Sequence, residues 1–224
     1  MTQGLLLMNK PIGLSTFDLI RLFKRANPTF KGKIGHAGTL DVFAQGLVIL
    51  LINTTKHFAH FQTLTKDYQA GVRLGASSPT LDIEGALTEK PLDFYPSFSA
   101  LQALLPQFVG SYNQTIPQYS AAKQGGKSLY SLARRGATII PKSKPVTIDS
   151  LELIAYKYPL VNIKVICSSG TYIRQLTFDI FKKLDIDSLL FSLTRTQIGE
   201  YQLKNSISPT EFGDWEKNLI SFAV

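Results

Sequence analysis

The chain has a single cysteine, Cys167, which excludes an intramolecular disulfide. That cysteine ends Val161–Cys167, a β-branched run that reads as a strand, where a packed and inert thiol is expected. Histidine is scarce too: there are only His36, His57 and His60. His57 and His60 can share a helix face, but no further ligands stand at metal-binding spacing, so no metal is expected. No window approaches the ~18 uninterrupted apolar residues of a membrane-spanning helix. The apolar run Gly46 to Ile52 is closed by polar Asn53-Thr54-Thr55. The N-terminus lacks the basic, apolar and small-residue sections of a secretion signal, which favours a cytoplasmic protein. No Walker-type loop or Gly-x-Gly-x-x-Gly fingerprint is present to cradle a nucleotide cofactor. What these absences leave is carboxylate chemistry assisted by Arg, Lys and Tyr.

What is there is basic. The 224 residues carry 24 Lys and Arg against 16 Asp and Glu, a formal net charge of +8. The excess is unevenly placed. Arg21 to Lys33 and Lys123 to Lys144 contain no acid at all. Cations in such stretches displace condensed counterions from phosphates, so they suit nucleic acid. A solvated basic surface and attraction to anionic lipid are the alternatives. Neither stretch has the amphipathic pattern of a lipid-seeking helix. With 44% hydrophobic residues the chain can bury one sizeable core, whole or in two lobes.

Ser15-Thr16-Phe17-Asp18 has the form of a capping box, and Leu19, Ile20, Leu22 and Phe23 give the following helix an apolar face that ends before Asn27-Pro28. Tyr68 to Leu74 predicts a strand leading to Gly75, and residues 75–97 a long loop. Phe98 to Phe108 and Ser128 to Arg135 predict helices closed near Gly110 and Gly136. Val146 to Tyr156 and Val161 to Cys167 predict strands joined by Lys157-Tyr158-Pro159. Thr171 to Leu184 predicts a helix with Arg174 in its first turn, and Asp214 to Val224 a final helix or tail. A cation at a helix start opposes the helix dipole, so a buried acidic partner for Arg174 is expected. The mixture implies an α/β or α+β architecture.

The segment Gly35-His36-Ala37-Gly38-Thr39-Leu40-Asp41 is the most unusual in the chain. Its glycines allow close approach of backbone to a ligand, while Thr39 and Asp41 offer oxygens at its exit. Taken alone, it favours a turn closed by a capping Asp over an active site.

Further blocks change that balance. Gly4 to Ser15, Gly35 to Asp41 with Ala44 and Gly46, and Lys66-Asp67-Tyr68 are followed by Pro117 to Lys123 with Gly126, Leu129-Tyr130, Ala133-Arg134 and Gly136. Cys167 to Arg174 and Leu193-Thr194-Arg195-Thr196 complete the set. In content and order these blocks resemble the TruB family of tRNA pseudouridine synthases along nearly the whole chain. The resemblance implies an α+β pseudouridine synthase fold with a mixed, largely antiparallel central sheet, flanking helices and RNA-gripping loops. One catalytic domain is expected over 1–224, with no separate C-terminal RNA-binding domain. It also implies a base-flipping isomerase without cofactor, acting on the T-loop uridine of tRNA as a monomer, with no membrane and no obligate protein partner. Asp41 is then the nucleophile, Arg174 its ion-pair partner, and Tyr68 the ring that stacks on the flipped base. His36 occupies the space left in the RNA loop, Tyr172 and Leu193 line the uracil pocket, and Lys10 and Lys123 contact phosphates.

Several positions depart from the family pattern. Val42 stands where proline is usual, Thr194 where arginine is usual, the path from Asp41 to Tyr68 is one residue short, and Ser78 to Asp82 follows the family loop loosely. Two rivals share the basic surface: a non-enzymatic tRNA-binding chaperone, and a guide-RNA-dependent synthase of related fold.

Overall fold

A computed structural model describes residues 2–221. In chain order the elements begin with β1 (Gly4–Lys10), α1 (Thr16–Ala26), β2 (Ile34–Ala37), β3 (Gln45–Ile52), α2 (Phe58–Thr63) and β4 (Lys66–Leu74). Next come β5 (Ala76–Ser77), β6 (Thr88–Glu89), α3 (Phe98–Leu104), β7 (Gly110–Thr115), β8 (Lys123–Gln124), β9 (Lys127–Ser128) and α4 (Leu129–Arg134). The chain ends with β10 (Ser143–Lys157), β11 (Leu160–Cys167), α5 (Ile173–Lys182), β12 (Ser188–Ile198) and β13 (Tyr201–Gln202), then 3-10 turns. Among the described residues no helix is long and apolar enough to cross a membrane. The fold is α+β.

The described residues form two compact units: 2–69, 168–170 and 193–221 make the first, and 70–167 with 171–192 the second. β4 and β12 each contribute residues to both. In the first unit β3 is the central strand. It is buried from Gly46 to Ile52, which is why its sequence is a continuous apolar run rather than an alternating one. β1 pairs antiparallel along one edge of it, from Gly4↔Ile52 to Lys10↔Gly46. The other edge is shared: β2 pairs antiparallel as far as Ala37↔Ile49, and β12 joins in parallel at Thr194↔Gln45 and Arg195↔Gly46. Leu5, Leu7, Leu47, Ile49, Leu51, Phe61 and Ile198 pack into one core cluster. A second one forms around Phe23, whose ring meets Phe30, Phe212 and Trp215 edge-on at 5.2–5.4 Å. The capping box at Ser15 and Asp18 forms as the sequence predicts and fixes the start of α1.

In the second unit β10 pairs antiparallel with both β7 and β11. Val161, Ile163, Val165 and Cys167 alternate with more exposed residues along β11, so one face turns to the core. α5 buries Ile173, Leu176, Ile180 and Phe181. The predicted helix over Phe98 to Phe108 tightens into a 3-10 turn after Leu104, where Pro106 cannot supply an α-helical N–H. The long loop at 75–97 carries the small β5–β6 ladder. β1, β2, β3, β7 and β12 are among the elements that go beyond those expected. β2 is short and β7 mostly exposed and polar, so neither has a strong hydrophobic period. Residues 214–218 fall in a 3-10 segment rather than an α-helix, and 222–224 of the expected tail lie outside the described residues.

Candidate active site

Asp41 follows β2 in the first unit, after Gly38 turns the chain at φ +85°. Buried side chains hold the backbone around it. Thr16, 1% exposed, accepts from the Leu40 N–H at 2.9 Å and donates to the Leu40 carbonyl at 3.2 Å. Arg195, also 1% exposed, donates from Nη2 to the Gly38 carbonyl at 3.1 Å, from Nη1 to Thr39 at 3.4 Å and from Nε to Leu47 at 2.7 Å. On the far side, the Val42 carbonyl accepts from Gly13 N–H at 2.9 Å and from Lys10 Nζ at 3.4 Å. The Asp41 carbonyl itself takes the Ala44 N–H at 3.2 Å.

Lys10 corrects a sequence expectation. It is fully buried, and its ammonium donates to the carbonyls of Pro11 and Leu14 at 3.0 and 2.6 Å as well as to Val42. A cation with no exposure and its donors turned onto backbone carbonyls has no path to a phosphate. Lys123, by contrast, is exposed on β8.

His36 is half-buried on β2, and its Nδ1 is buried without a hydrogen-bond partner. Burial, with the Arg195 charge, pushes its pKa below the usual 6.5, so the ring is neutral at physiological pH. Tyr68 is buried in β4 and Leu193 in β12, two residues before Arg195 and therefore on the same side of that strand.

Arg174 lies in the second unit and has the buried acid its helix position calls for. Its Nη1 stands 3.3 Å from Asp82 Oδ2, with side-chain exposures of only 6% and 3%. Nη1 also donates to the Thr80 carbonyl at 2.8 Å, and Nη2 to the Tyr119 carbonyl at 3.0 Å. The loop around Asp82 is tied to itself. Asp82 Oδ1 accepts from Thr80 Oγ1 at 2.6 Å and from the Glu84 N–H at 2.9 Å, and Ser78 Oγ donates to the Asp82 carbonyl at 2.6 Å. Leu81 holds a left-handed φ of +63°, a strained conformation that such ties sustain.

Tyr172 precedes α5 in the same unit. The fully buried Gln114 clasps it, accepting from its N–H at 2.8 Å and donating to its carbonyl at 3.1 Å. Lys144 Nζ sits 4.4 Å from the centre of the Tyr172 ring, and burial lowers the lysine's pKa. An ammonium over an aromatic face gains from the ring quadrupole.

Sequence reasoning missed Thr16, Asp82, Gln114 and Arg195 as supports. Asp82 had a weak signal, since a buried acid was expected and Ser78 to Asp82 loosely follows the Thr/Asp-rich loop of the family. Gln114 had none, because a polar residue in a polar strand looks like any solvated one.

Comparison with solved structures gives the class of fold first. A chain of an H/ACA ribonucleoprotein bound to a substrate RNA containing 2'-deoxyuridine aligns with a TM-score of 0.69 at 18% identity, over 94% of this chain and 52% of that one. This chain spans about half the length of that one, and at such identity the likeness is one of fold. Sequence comparison is more specific. Residues 24–173 match the model of the TruB family of pseudouridylate synthases (N terminal domain). The tRNA pseudouridine synthase B of Parabacteroides distasonis is 39% identical over 222 residues, covering 96% of this chain and 94% of that protein. Its counterpart from Protochlamydia amoebophila is 39% identical over 225 residues, covering 97% and 84%. The chain belongs to the TruB family of pseudouridylate synthases.

Proposed function

We propose that this protein isomerises a uridine in the T loop of tRNA to pseudouridine, with Asp41 as the nucleophile. The observation that carries the reading is the near full-length identity to relatives named tRNA pseudouridine synthase B. The tethered turn around Asp41 supports it, because a group that must attack in one orientation gains rate from a backbone fixed in advance. The carboxylate adds covalently and later leaves, while the glycosidic carbon–nitrogen bond breaks and a carbon–carbon bond replaces it. The ring carbon that takes the new bond loses a proton and the freed nitrogen gains one, so product and substrate are isomers and no cofactor is consumed.

Arg174 contributes the cation of the catalytic set. Tyr68 stacks on the flipped base, an interaction worth roughly 1–3 kcal/mol. Tyr172 and Leu193 wall the uracil pocket, His36 holds neighbouring bases of the opened loop, and Lys123 meets phosphate. The enzyme works in the cytoplasm as a monomer without an obligate protein partner.

Unmodified tRNA is incubated with wild-type protein and with Asp41→Asn, and pseudouridine is mapped by position. Wild type is expected to modify the T loop without any added guide RNA, and Asp41→Asn to bind tRNA with wild-type affinity and make no product. Binding without T-loop pseudouridine would sink the reading. The fold likeness to an H/ACA chain favours one alternative, a guide-dependent synthase, which would need a guide RNA for any turnover.

A further inference from the structure

Strand β3 has a gap on one edge. β2 leaves it after Ala37↔Ile49, and β12 joins only at Arg195↔Gly46, so Leu47 and Val48 have no strand beside them in that register. Backbone carbonyls stranded there would be buried without a donor, a costly state. The Arg195 side chain fills the gap. Its planar fork reaches the Leu47 carbonyl on β3 together with the Gly38 and Thr39 carbonyls of the chain that has just left β2. Among the described residues no carboxylate pairs with this buried cation, so its hydrogen bonds are all to backbone carbonyls. Gly46 makes the approach possible: a Cβ there would stand 2.4 Å from the Arg195 carbonyl oxygen.

Thr16 acts one residue nearer to Asp41. At the first position of α1 its hydroxyl closes both backbone groups of Leu40, the residue before Asp41. Arg195 and Thr16 come from distant parts of the sequence and grip three consecutive residues, Gly38, Thr39 and Leu40. Neither hydroxyl nor guanidinium is exposed to meet RNA.

We infer that Arg195 and Thr16 are positioning residues for the reaction: they hold the backbone of 38–40 so that Asp41 presents its carboxylate in the reactive orientation. The inference rests on Asp41 being the nucleophile. A displacement of the reacting group by about 1 Å can cost on the order of 100-fold in rate while leaving binding untouched.

Four variants decide it: Arg195→Lys, which keeps the charge and loses the fork, Arg195→Gln, Thr16→Val, which keeps the shape and loses the hydroxyl, and Thr16→Ser, which restores the hydroxyl. Single-turnover pseudouridine formation and tRNA affinity are measured on each, at a temperature where melting curves show it folded. Both Arg195 variants are expected to lose roughly 30- to 100-fold in rate with unchanged affinity. Thr16→Val should lose about tenfold, the worth of one buried hydrogen bond, and Thr16→Ser should regain it. Folded variants that keep wild-type rates overturn the inference. So does a parallel fall in rate and affinity, or a Thr16→Ser as slow as Thr16→Val. If the Arg195 variants do not fold, the two Thr16 variants alone decide between these outcomes. A wild-type protein that makes no pseudouridine would instead refute the proposed function, so the two failures are distinct.

Discussion

Two buried arginines, one in each unit, meet the problem of a dry positive charge differently. Arg195 spreads its donors over three backbone carbonyls and so acts on the path of the main chain. Arg174 faces a buried carboxylate, Asp82, and is held in place as a side chain by that acid and two carbonyls. One arginine positions a turn and the other is itself positioned. Carbonyl dipoles suffice for the first because the turn needs a shape. The second carries a helix-start cation against the local dipole and needs a full negative charge.

The difference predicts the order in which substitutions hurt. Arg174→Met removes the ion pair with the buried Asp82 carboxylate, at an expected cost of about 3–5 kcal/mol in urea unfolding. Adding Asp82→Asn to that variant should recover part of the loss, because the buried carboxylate is removed with it. If the two costs simply add, the pair is not coupled and the contrast fails. Removing Arg195 orphans no acid, so its variants should lose less stability than Arg174→Met.

Gln114→Met comes next. It leaves the Tyr172 N–H and carbonyl without their partner, which should cost roughly 1–3 kcal/mol and weaken substrate binding more than the chemical step. An unchanged melting temperature would show that water replaces the amide at no cost. The smallest effect is one of pH. His36 has its folded pKa lowered below the usual 6.5, so in acid the unfolded chain takes up the proton first. Stability should therefore be unaffected by this group above that value and decline as the pH falls through it. His36→Asn should flatten that decline, and identical acid slopes in the two proteins would count against a buried neutral ring.

Much of the scaffold was legible beforehand. The capping box at Ser15, the β10–β11 hairpin and the helix carrying Arg174 follow from local chemistry and periodicity, and the structure has them close to the expected bounds. For Lys10 the resemblance implied a phosphate contact, but it ends β1 fully buried. Only the fold shows its ammonium turned inward onto Pro11, Leu14 and Val42. Asp82 was half legible: the helix position of Arg174 called for a buried acid, but the resemblance named Asp41 for that role and not Asp82.

The sequence by itself determined the family, the elements with strong periods and the unusual loop that carries Asp41, because those are written in neighbouring residues. The tertiary structure alone decided which buried groups hold that loop. Thr16 and Arg195 lie far from residues 38–40 in sequence and meet them only where β2 leaves β3 and β12 takes its place. Which carbonyls lack a partner depends on strand register, and register is a property of the assembled sheet rather than of any one segment.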